Sequence, residues 1–213
     1  VADGMLTAST QVEAADAFLI AVPTPFKGEH EPDLSYIESA VSSIAPVLQP
    51  GNIVILESTS PAGTTRKIAE WLAQARPDLT FPHDHESPDV FVAHCPERVL
   101  PGRIMIEMVS NDRVVGGISP QCAEKAAEIY RIFCEGEILL TDATSAEMAK
   151  LTENAFRDVN IAFANELAEI CRHIGVDVWE VIRLANRHPR VNILNPGPGV
   201  GGHCIAVDPW FIV

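Results

Sequence analysis

Cys204 is the cysteine whose surroundings best suit a nucleophile. It comes two residues after Pro196–Gly202, a segment in which six of seven residues are proline or glycine. Such a segment forms a loop, and its backbone N–H groups can converge on a bound anion or a developing oxyanion. A thiol on a loop is also accessible, which a reactive thiolate requires. Spacing alone leaves open the alternative that Cys204 is a small buried apolar residue, the usual fate of cysteine.

Four other cysteines compete with Cys204 for that role. Three of them lie in or beside apolar helical patterns, which favours burial: Cys122, Cys134 and Cys171. Cys95 is the remaining competitor. The five are widely spaced and include no C-x-x-C pair, so they indicate neither a disulfide framework nor a zinc ribbon and suit a reducing compartment. No metal site is expected, because His83 and His85 stand in an acidic stretch typical of an exposed loop.

A polar set follows helical spacing further along the chain. Lys150, Asn154 and Arg157 are spaced i, i+4, i+7, which places them on one face of a predicted helix. Because that face lies opposite the apolar stripe, the pattern alone favours a solvated surface. The alternative is a site for a phosphate-bearing ligand, since the chain's basic residues are concentrated here. Six of the fifteen fall within 41 positions: Lys150, Arg157, Arg172, Arg183, Arg187 and Arg190.

Two turns that follow predicted strands add candidate binding positions. Val22–Pro25 contains Thr24, and Glu57–Gly63 contains Thr59. In an open parallel sheet, ligands bind outside the carboxyl ends of the strands, so both turns are suitably placed. Turns rich in serine, threonine, proline and glycine are common, however, and alone they are weak evidence for a site.

The first two-thirds of the chain alternates strand and helix patterns. Short apolar runs predict strands at Ala17–Val22, Ile53–Leu56, Val90–Ala93, Arg113–Val115 and Glu137–Leu140. Apolar residues spaced three and four apart predict helices at Asp33–Leu48, Thr64–Ala75 and Ser119–Phe133. Strands that are apolar throughout, each followed by a helix, predict a parallel sheet covered on both faces.

Helical periodicity then takes over. Thr144–Glu147 has the S/T-x-x-E pattern of a capping box, in which Thr144 accepts from a backbone amide and Glu147 reaches back. The predicted helix runs to about Cys171, which is long for an ordinary domain. A helix this long often bridges domains or pairs with a partner subunit. A shorter helix is predicted at Val178–Asn186.

Charge and hydropathy narrow the class of protein. The 213 residues carry a net charge of −14, which argues against nucleic acid as a partner. A hydrophobic fraction of 47% excludes wholesale disorder. No apolar run approaches the ~20 residues that cross a bilayer, and no basic start precedes an apolar stretch as in a signal peptide. We therefore expect a globular, cytoplasmic protein with no membrane partner.

Several separate motifs resemble those of one family. They are Gly201–Cys204 with Asp208-Pro209, Lys150-x-x-x-Asn154, and Cys95–Arg98. On these motifs the chain resembles the UDP-glucose/UDP-mannose dehydrogenase family. The segments Val22–Gly28 and His188–Gly199 resemble its 2-acetamido-sugar branch. The resemblance covers essentially the whole chain.

The resemblance implies a three-part parent protein: an NAD-binding Rossmann domain, a helical dimerisation region and a UDP-binding domain. The expected fold class is α/β, with a partial Rossmann-like parallel sheet followed by a helical dimerisation region with a long central helix. Residues 1–142 would belong to the first part and residues 143–213 to the second, which carries the cysteine loop. No G-x-G-x-x-G fingerprint is present. The chain is therefore expected to begin after that motif and end before the UDP-binding domain, so that in isolation it binds NAD weakly and is inactive.

The activity implied by the resemblance is the oxidation of a sugar C6 alcohol to a carboxylate by two NAD⁺. Cys204 would attack the intermediate aldehyde, giving a thiohemiacetal, then a thioester that water hydrolyses. Lys150 would act as general acid/base or oxyanion stabiliser, with Asn154 donating to the same oxygen. Asp208 would orient or deprotonate groups near the thiol, and Glu97 would position water.

The resemblance also implies binding residues. Thr24 and Thr59 would contact the NAD, and Thr59 would help to position water. The sugar nucleotide would be held by Arg98, Val99, Lys150, Asn154, Arg157, His188, Arg190 and Gly201.

Two positions depart from the pattern of UDP-glucose enzymes. Pro101 stands where a second glutamate is typical, and His203 where a serine is usual. Both departures favour a 2-acetamido sugar and leave the hydrolytic water with one carboxylate fewer. The expected substrate is UDP-N-acetyl-D-mannosamine, oxidised for bacterial surface polysaccharide such as enterobacterial common antigen. The alternatives are UDP-N-acetylglucosamine as substrate and, in a different class, an inert dimerisation module.

Overall fold

A computed structural model describes residues 6–100, 102–202 and 204–212. Its strands are β1 (Ala17–Ile20), β2 (Phe26–Lys27), β3 (Glu31–Pro32), β4 (Ile53–Leu56), β5 (Phe91–His94), β6 (Arg113–Gly117) and β7 (Ile138–Asp142). Its α-helices are α1 (Ser35–Ile44), α2 (Thr64–Ala75), α3 (Ile104–Ser110), α4 (Pro120–Tyr130), α5 (Ala143–Ile174) and α6 (Val178–Ala185), and a 3-10 turn covers Asp208–Phe211. Pro101 and His203 lie outside the described residues.

A five-stranded sheet in the order β1-β4-β5-β6-β7 lies between two helical layers. Every residue of β4 is buried, and its side chains alternate between the two faces. Val54 and Leu56 pack with α1 and α2, whereas Ile53 and Ile55 pack on the opposite face, where Ala126 and Tyr130 of α4 cover them. The α/β prediction with both faces covered is therefore confirmed, because a strand with no polar side chain requires apolar cover on each side.

The predicted parallel sheet is confirmed for three of its four strand pairs and is wrong for one, β5 with β6. Strands β1, β4 and β5 are parallel, but β6 is antiparallel to β5, and β7 follows β6 in parallel. A parallel connection needs a crossover that packs across the sheet, usually a helix. The connection from β5 to β6 contains only the short helix α3, which has no buried residue. It stays at the carboxyl end of β5, so β6 enters the sheet from that side.

The capping box predicted at Thr144–Glu147 is also wrong. The N-cap of α5 is Asp142, whose carboxylate accepts from the Ser145 N–H at 2.9 Å. Glu147 is 1% exposed and its carboxylate instead accepts from the first turn of α2. The N-cap of α2 is Gly63, which has no side chain to accept those amides. A distant carboxylate therefore takes the place of a local cap.

Helix α5 confirms the predicted long helix and extends to 32 residues. Its first half packs on the sheet, where Leu151 is fully buried. Large apolar side chains are exposed from the middle of α5 onward: Phe156, Val159, Phe163, Ile170 and Ile174. Within the described ranges, no helix is long and apolar enough to cross a membrane.

A small hairpin of β2 and β3, which periodicity does not predict, packs against the 3-10 turn. The Phe26 and Phe211 rings meet edge-on with centroids 5.8 Å apart. His30 has a positive φ of 75° and stacks on Trp210 with ring centroids 3.9 Å apart. These aromatic contacts attach residues 208–211 to the loop that follows β1.

We predict that Gly116→Ala destabilises the fold. A Cβ at this position would lie 2.6 Å from the Ala146 Cβ and 2.5 Å from the Asp142 carbonyl oxygen, so α5 would have to move away from β6. Denaturant titration should show a free energy of unfolding that is lower by about 1–3 kcal/mol, the usual cost of overpacking a core. Gly197→Ala is the control, since nothing lies within 4 Å of its Cβ. It should change stability by less than about 1 kcal/mol. Equal effects would contradict the close contact.

Candidate active site

A cleft of about 430 Å³ brings together the turns after β1 and β4 and the loop that contains the candidate nucleophile. Its walls are formed by the segment 22–26 together with Thr59, Cys204, Val207 and Asp208. The cleft lies at the carboxyl ends of two parallel strands, where the alternation of strands and helices placed Thr24 and Thr59.

The two turns are tied directly to each other. The Thr24 hydroxyl donates to the Thr59 carbonyl at 2.6 Å, and the Ser58 hydroxyl donates to the Val22 carbonyl at 2.6 Å. Hydroxyl-to-carbonyl bonds of this length fix both backbones, so the cleft has a rigid floor.

Cys204 is the exposed cysteine of the five. Its carbonyl accepts from the Val207 and Asp208 amides at 3.1 and 2.8 Å, which closes a turn directly behind the thiol. The competitor Cys95 is fully buried, and burial raises the pKa of its thiol to about 11. A neutral, inaccessible thiol is a poor nucleophile. The geometry therefore favours Cys204.

Asp208 and Asn154 form the buried polar contact of the site. The Asn154 Nδ2 donates to Asp208 Oδ2 at 2.6 Å, and the two residues are 3% and 5% exposed. Burial raises the pKa of Asp208, while the Asn154 donor and the charge of Lys150 act in the opposite direction. The solvated-face interpretation is thus wrong for Asn154. The cover comes from the cysteine loop of this chain itself.

Glu97, Arg98 and Val99 form a separate group after β5. Glu97 Oε1 accepts from the amides of Arg98 and Val99 at 2.6 and 3.0 Å. Its second oxygen lies 3.7 Å from Arg113 Nη1. The Arg98 guanidinium pairs with Glu153 of α5 at 2.6 Å. Among the described contacts, none joins this group to Cys204.

The remaining candidate ligands of the sugar nucleotide lie on the surface. Arg157, His188, Arg190 and Gly201 are exposed, and no described contact brings them into the cleft. The loop before Cys204 follows α5 through asparagine side chains that the sequence analysis did not single out. These are Asn160, which bonds Asn192 and Leu194, and Asn165, which bonds Gly197.

The capping-box pattern predicts the wrong partner for Glu147, which accepts from Gly63 and Thr65. A signal existed, because the N-cap Gly63 leaves α2 without a local acceptor. That signal shows that an acceptor is needed but not where in the chain it lies.

The donor set of the cleft fits the nicotinamide end of NAD. Thr24 and Thr59 offer hydroxyl and backbone groups for a carboxamide, and the side chains of Val22 and Phe26 offer apolar surface for a ring. Cys204 faces the same space. The cleft can therefore bring a hydride acceptor and a thiol together.

A three-layer α/β fold with a cleft outside the carboxyl ends of its parallel strands is typical of nucleotide-binding proteins. Residues 1–134 match the model of the UDP-glucose/GDP-mannose dehydrogenase family, NAD binding domain, and residues 144–213 match that family's central domain. The chain therefore belongs to the UDP-glucose/GDP-mannose dehydrogenase family. This confirms the resemblance carried by the motifs, and the NAD-binding description agrees with the expected cofactor.

The curated relatives and solved structures that the chain is similar to include several named sugar-nucleotide dehydrogenases. UDP-N-acetyl-D-mannosamine dehydrogenase of Escherichia coli K12 is 68% identical over 100% of this chain and 51% of its own length. NDP-N-acetyl-D-galactosaminuronic acid dehydrogenase of Ralstonia nicotianae is 64% identical with the same coverage. The structure of a UDP-D-ManNAc dehydrogenase from Pyrococcus horikoshii is 50% identical, with a TM-score of 0.87 over 93% of this chain and 46% of that one. The chain spans about half the length of the curated relatives it matches.

We predict that Asn154→Ala destabilises the chain in a pH-dependent way. The folded-state pKa of Asp208 is raised, so its contribution to stability is full below 3.8 and declines as pH rises through the folded value. Removing the Asn154 donor raises that pKa further and penalises the ionised form. The loss should reach about 1–3 kcal/mol near pH 8 and be smaller near pH 4.

Denaturant titrations at the two pH values provide the measurement. Asn165→Ala is the control on the same helix, because Asn165 bonds an exposed glycine amide. Its effect should be small and independent of pH. A loss for Asn154→Ala that does not grow with pH would contradict the buried contact with Asp208.

Proposed function

We propose that the protein carrying this chain is an NAD-dependent UDP-sugar 6-dehydrogenase that oxidises UDP-N-acetyl-D-mannosamine to the uronate. The observation that carries the proposal is the cleft in which the exposed Cys204 meets Thr24, Thr59 and Asp208, with Asn154 bonded to that aspartate. Bacterial surface-polysaccharide synthesis would consume the uronate. Residues 1–142 would serve the cofactor, and residues 143–213 would carry the nucleophile and the subunit contact.

In this proposal, residues of the cleft and of α5 have separate roles in two successive oxidations. NAD, when bound, supplies the hydride acceptor for each of them. Lys150 takes the proton of the C6 alcohol as the aldehyde forms and, in the next step, returns a proton to the carbonyl oxygen. The Cys204 sulfur attacks the aldehyde carbon, so a C–S bond forms and the aldehyde is retained as a thiohemiacetal until it is oxidised again.

Asn154 and Asp208 act as a unit in this proposal. One N–H of the Asn154 amide is fixed by Asp208, which holds the amide plane and leaves the second N–H for the substrate oxygen. Water then attacks the thioester carbon and the thiol leaves, releasing the carboxylate. Glu97 would orient that water once the substrate is bound.

The sugar assignment is supported by sequence likeness. The segment His188–Gly199 matches the acetamido-sugar branch, and the E. coli relative is named for N-acetylmannosamine. The Ralstonia relative is almost as similar and is named for a galactosaminuronic acid. The substrate test therefore needs UDP-N-acetyl-D-mannosamine and UDP-N-acetylgalactosamine as well as UDP-N-acetylglucosamine.

The decisive experiment measures NADH formed by the full-length protein from limiting amounts of each UDP-sugar. We expect two NADH per UDP-N-acetyl-D-mannosamine and little from UDP-N-acetylglucosamine, UDP-N-acetylgalactosamine or UDP-glucose. Cys204→Ala should prevent completion, because no thiohemiacetal can form. The yield should then fall to at most one NADH, with an aldehyde that hydroxylamine traps.

Cys134→Ala is the matched control, since that thiol is partly buried outside the cleft. It should keep the yield of two. Turnover of another UDP-sugar alone would replace the substrate, and no NADH from any of them would favour the inert module.

We also propose that residues 156–174 of α5 form a homodimer contact. Phe156, Phe163 and Ile170 recur every seven residues, with Val159 between the first two, and all are 47–68% exposed. A seven-residue apolar repeat is the pattern by which two helices pair. Large apolar side chains exposed together on one helix face are typical of an interaction surface.

We predict that Phe163→Glu shifts the protein from dimer to monomer. A charge in the middle of the strip would be buried without a partner, which costs several kcal/mol. Sedimentation equilibrium should show at least a tenfold higher dissociation constant. Ile132→Glu serves as the control, since Ile132 is 81% exposed and lies outside α5. An unchanged mass for Phe163→Glu would exclude this face as the interface.

A further inference from the structure

Glu147 is a buried carboxylate with no role in the proposed reaction. It accepts three hydrogen bonds from residues more than eighty positions earlier in the chain. They come from the Gly63 N–H at 2.5 Å, the Thr65 N–H at 2.7 Å and the Thr65 hydroxyl at 2.6 Å. Both oxygens are occupied, one by each residue.

One end of this contact is the loop that carries Thr59. Gly63 and Thr65 stand where that loop becomes α2, and the Thr64 hydroxyl donates back to the Pro61 carbonyl at 2.6 Å. The loop is thus held at its start by the bond from Thr24 to Thr59 and at its end by Glu147.

The other end is the helical face that carries the reacting groups. Glu147, Lys150 and Asn154 are spaced three and four residues apart, which places them on one side of α5. Asn154 is fixed in turn by Asp208. The same turns of α5 therefore contact the cofactor-side loop through one buried group and the cysteine loop through another.

The contact is too strong for its members to separate freely. A carboxylate that is removed from water keeps its charge only while donors surround it. Burial raises the pKa of Glu147, and the donors from Thr65 and Gly63 act against that rise. The N-terminus of α2 adds a favourable dipole. Without Glu147, the buried Thr65 amide and the Gly63 amide would lose their acceptor.

We propose that Glu147 is a positioning residue that sets the separation between the Thr59 loop and the turns of α5 that carry Lys150 and Asn154. The proposal rests on the dehydrogenase function given above. Hydride transfer depends on the distance between the cofactor side and the sugar side, and a displacement of about 1 Å can cost about 100-fold in rate. Loosening this contact should therefore lower kcat and leave the KM for the sugar nucleotide largely unchanged.

The test compares Glu147→Gln and Glu147→Ala with wild type in the full-length protein. A glutamine can still accept from Thr65 through its oxygen, but its NH₂ group opposes the Gly63 N–H. We expect kcat to fall about 10-fold for Glu147→Gln and about 100-fold for Glu147→Ala. The KM for the UDP-sugar should stay within about threefold of wild type.

Two controls separate positioning from charge and from stability. Glu128→Gln makes the same charge change at an exposed position of α4 and should leave kcat unchanged. Val41→Ala removes core packing from α1, away from the cleft, and lowers the melting temperature without touching the contact. It should leave kcat per folded protein unchanged.

Hydrogen exchange provides a readout that is independent of turnover. In Glu147→Ala, the amides of Gly63 and Thr65 should exchange at least tenfold faster, while the amides of β4 remain protected. Unchanged exchange, or an unchanged kcat in an active enzyme, would overturn the positioning role alone. A kcat loss equal to that of Val41→Ala at equal loss of stability would reduce Glu147 to a structural residue. A wild-type protein that forms no NADH from any UDP-sugar would instead overturn the proposed function.

Discussion

A carboxylate removed from water must keep its hydrogen-bond donors, and two such groups hold this structure together along α5. Glu147 reaches from α5 to the start of α2, and Asp208 reaches from the cysteine loop to Asn154. Burial raises the pKa of both. Because leaving buried partners unpaired costs roughly 1–3 kcal/mol each, α5 fixes the loop after β4 and the cysteine loop in one frame. The cleft exists because both attachments are made within a few turns of the same helix.

The antiparallel direction of β6 places a charged residue beside Glu97. Because the chain turns back at the carboxyl end of β5, Arg113 at the start of β6 comes within 3.7 Å of Glu97. Arg113 is itself buried against the ring of Tyr130, with its guanidinium carbon 4.9 Å from the ring centroid. A parallel β6 would begin at the opposite edge of the sheet. The arrangement thus places a fixed charge beside the acid that follows β5.

Periodicity predicts most of the elements because it reports local burial. Helix α2 and strand β4 lie where the apolar pattern places them. Strand direction is a different matter, since an apolar run reads the same in both directions and α3 carries no buried face that would reveal it. Periodicity alone places Asn154 on a solvated face, because its partner lies 54 residues away in a glycine-rich loop that has no period. The motif resemblance selected the residue; only the fold shows what it touches.

The contacts of the site also decide when it can form during synthesis. The bond between Thr24 and Thr59 joins residues only 35 positions apart, so it can form early. The first turn of α2 cannot be capped until Glu147 has been translated, and Asn154 cannot bond to Asp208 until 54 more residues have followed it. Contacts this distant require loop closure before they return any free energy, so they form late. A nascent chain emerging from the ribosome therefore has its sheet before it has its cleft. The Cys204 thiol is translated after the residues of the two turns that line the cleft with it.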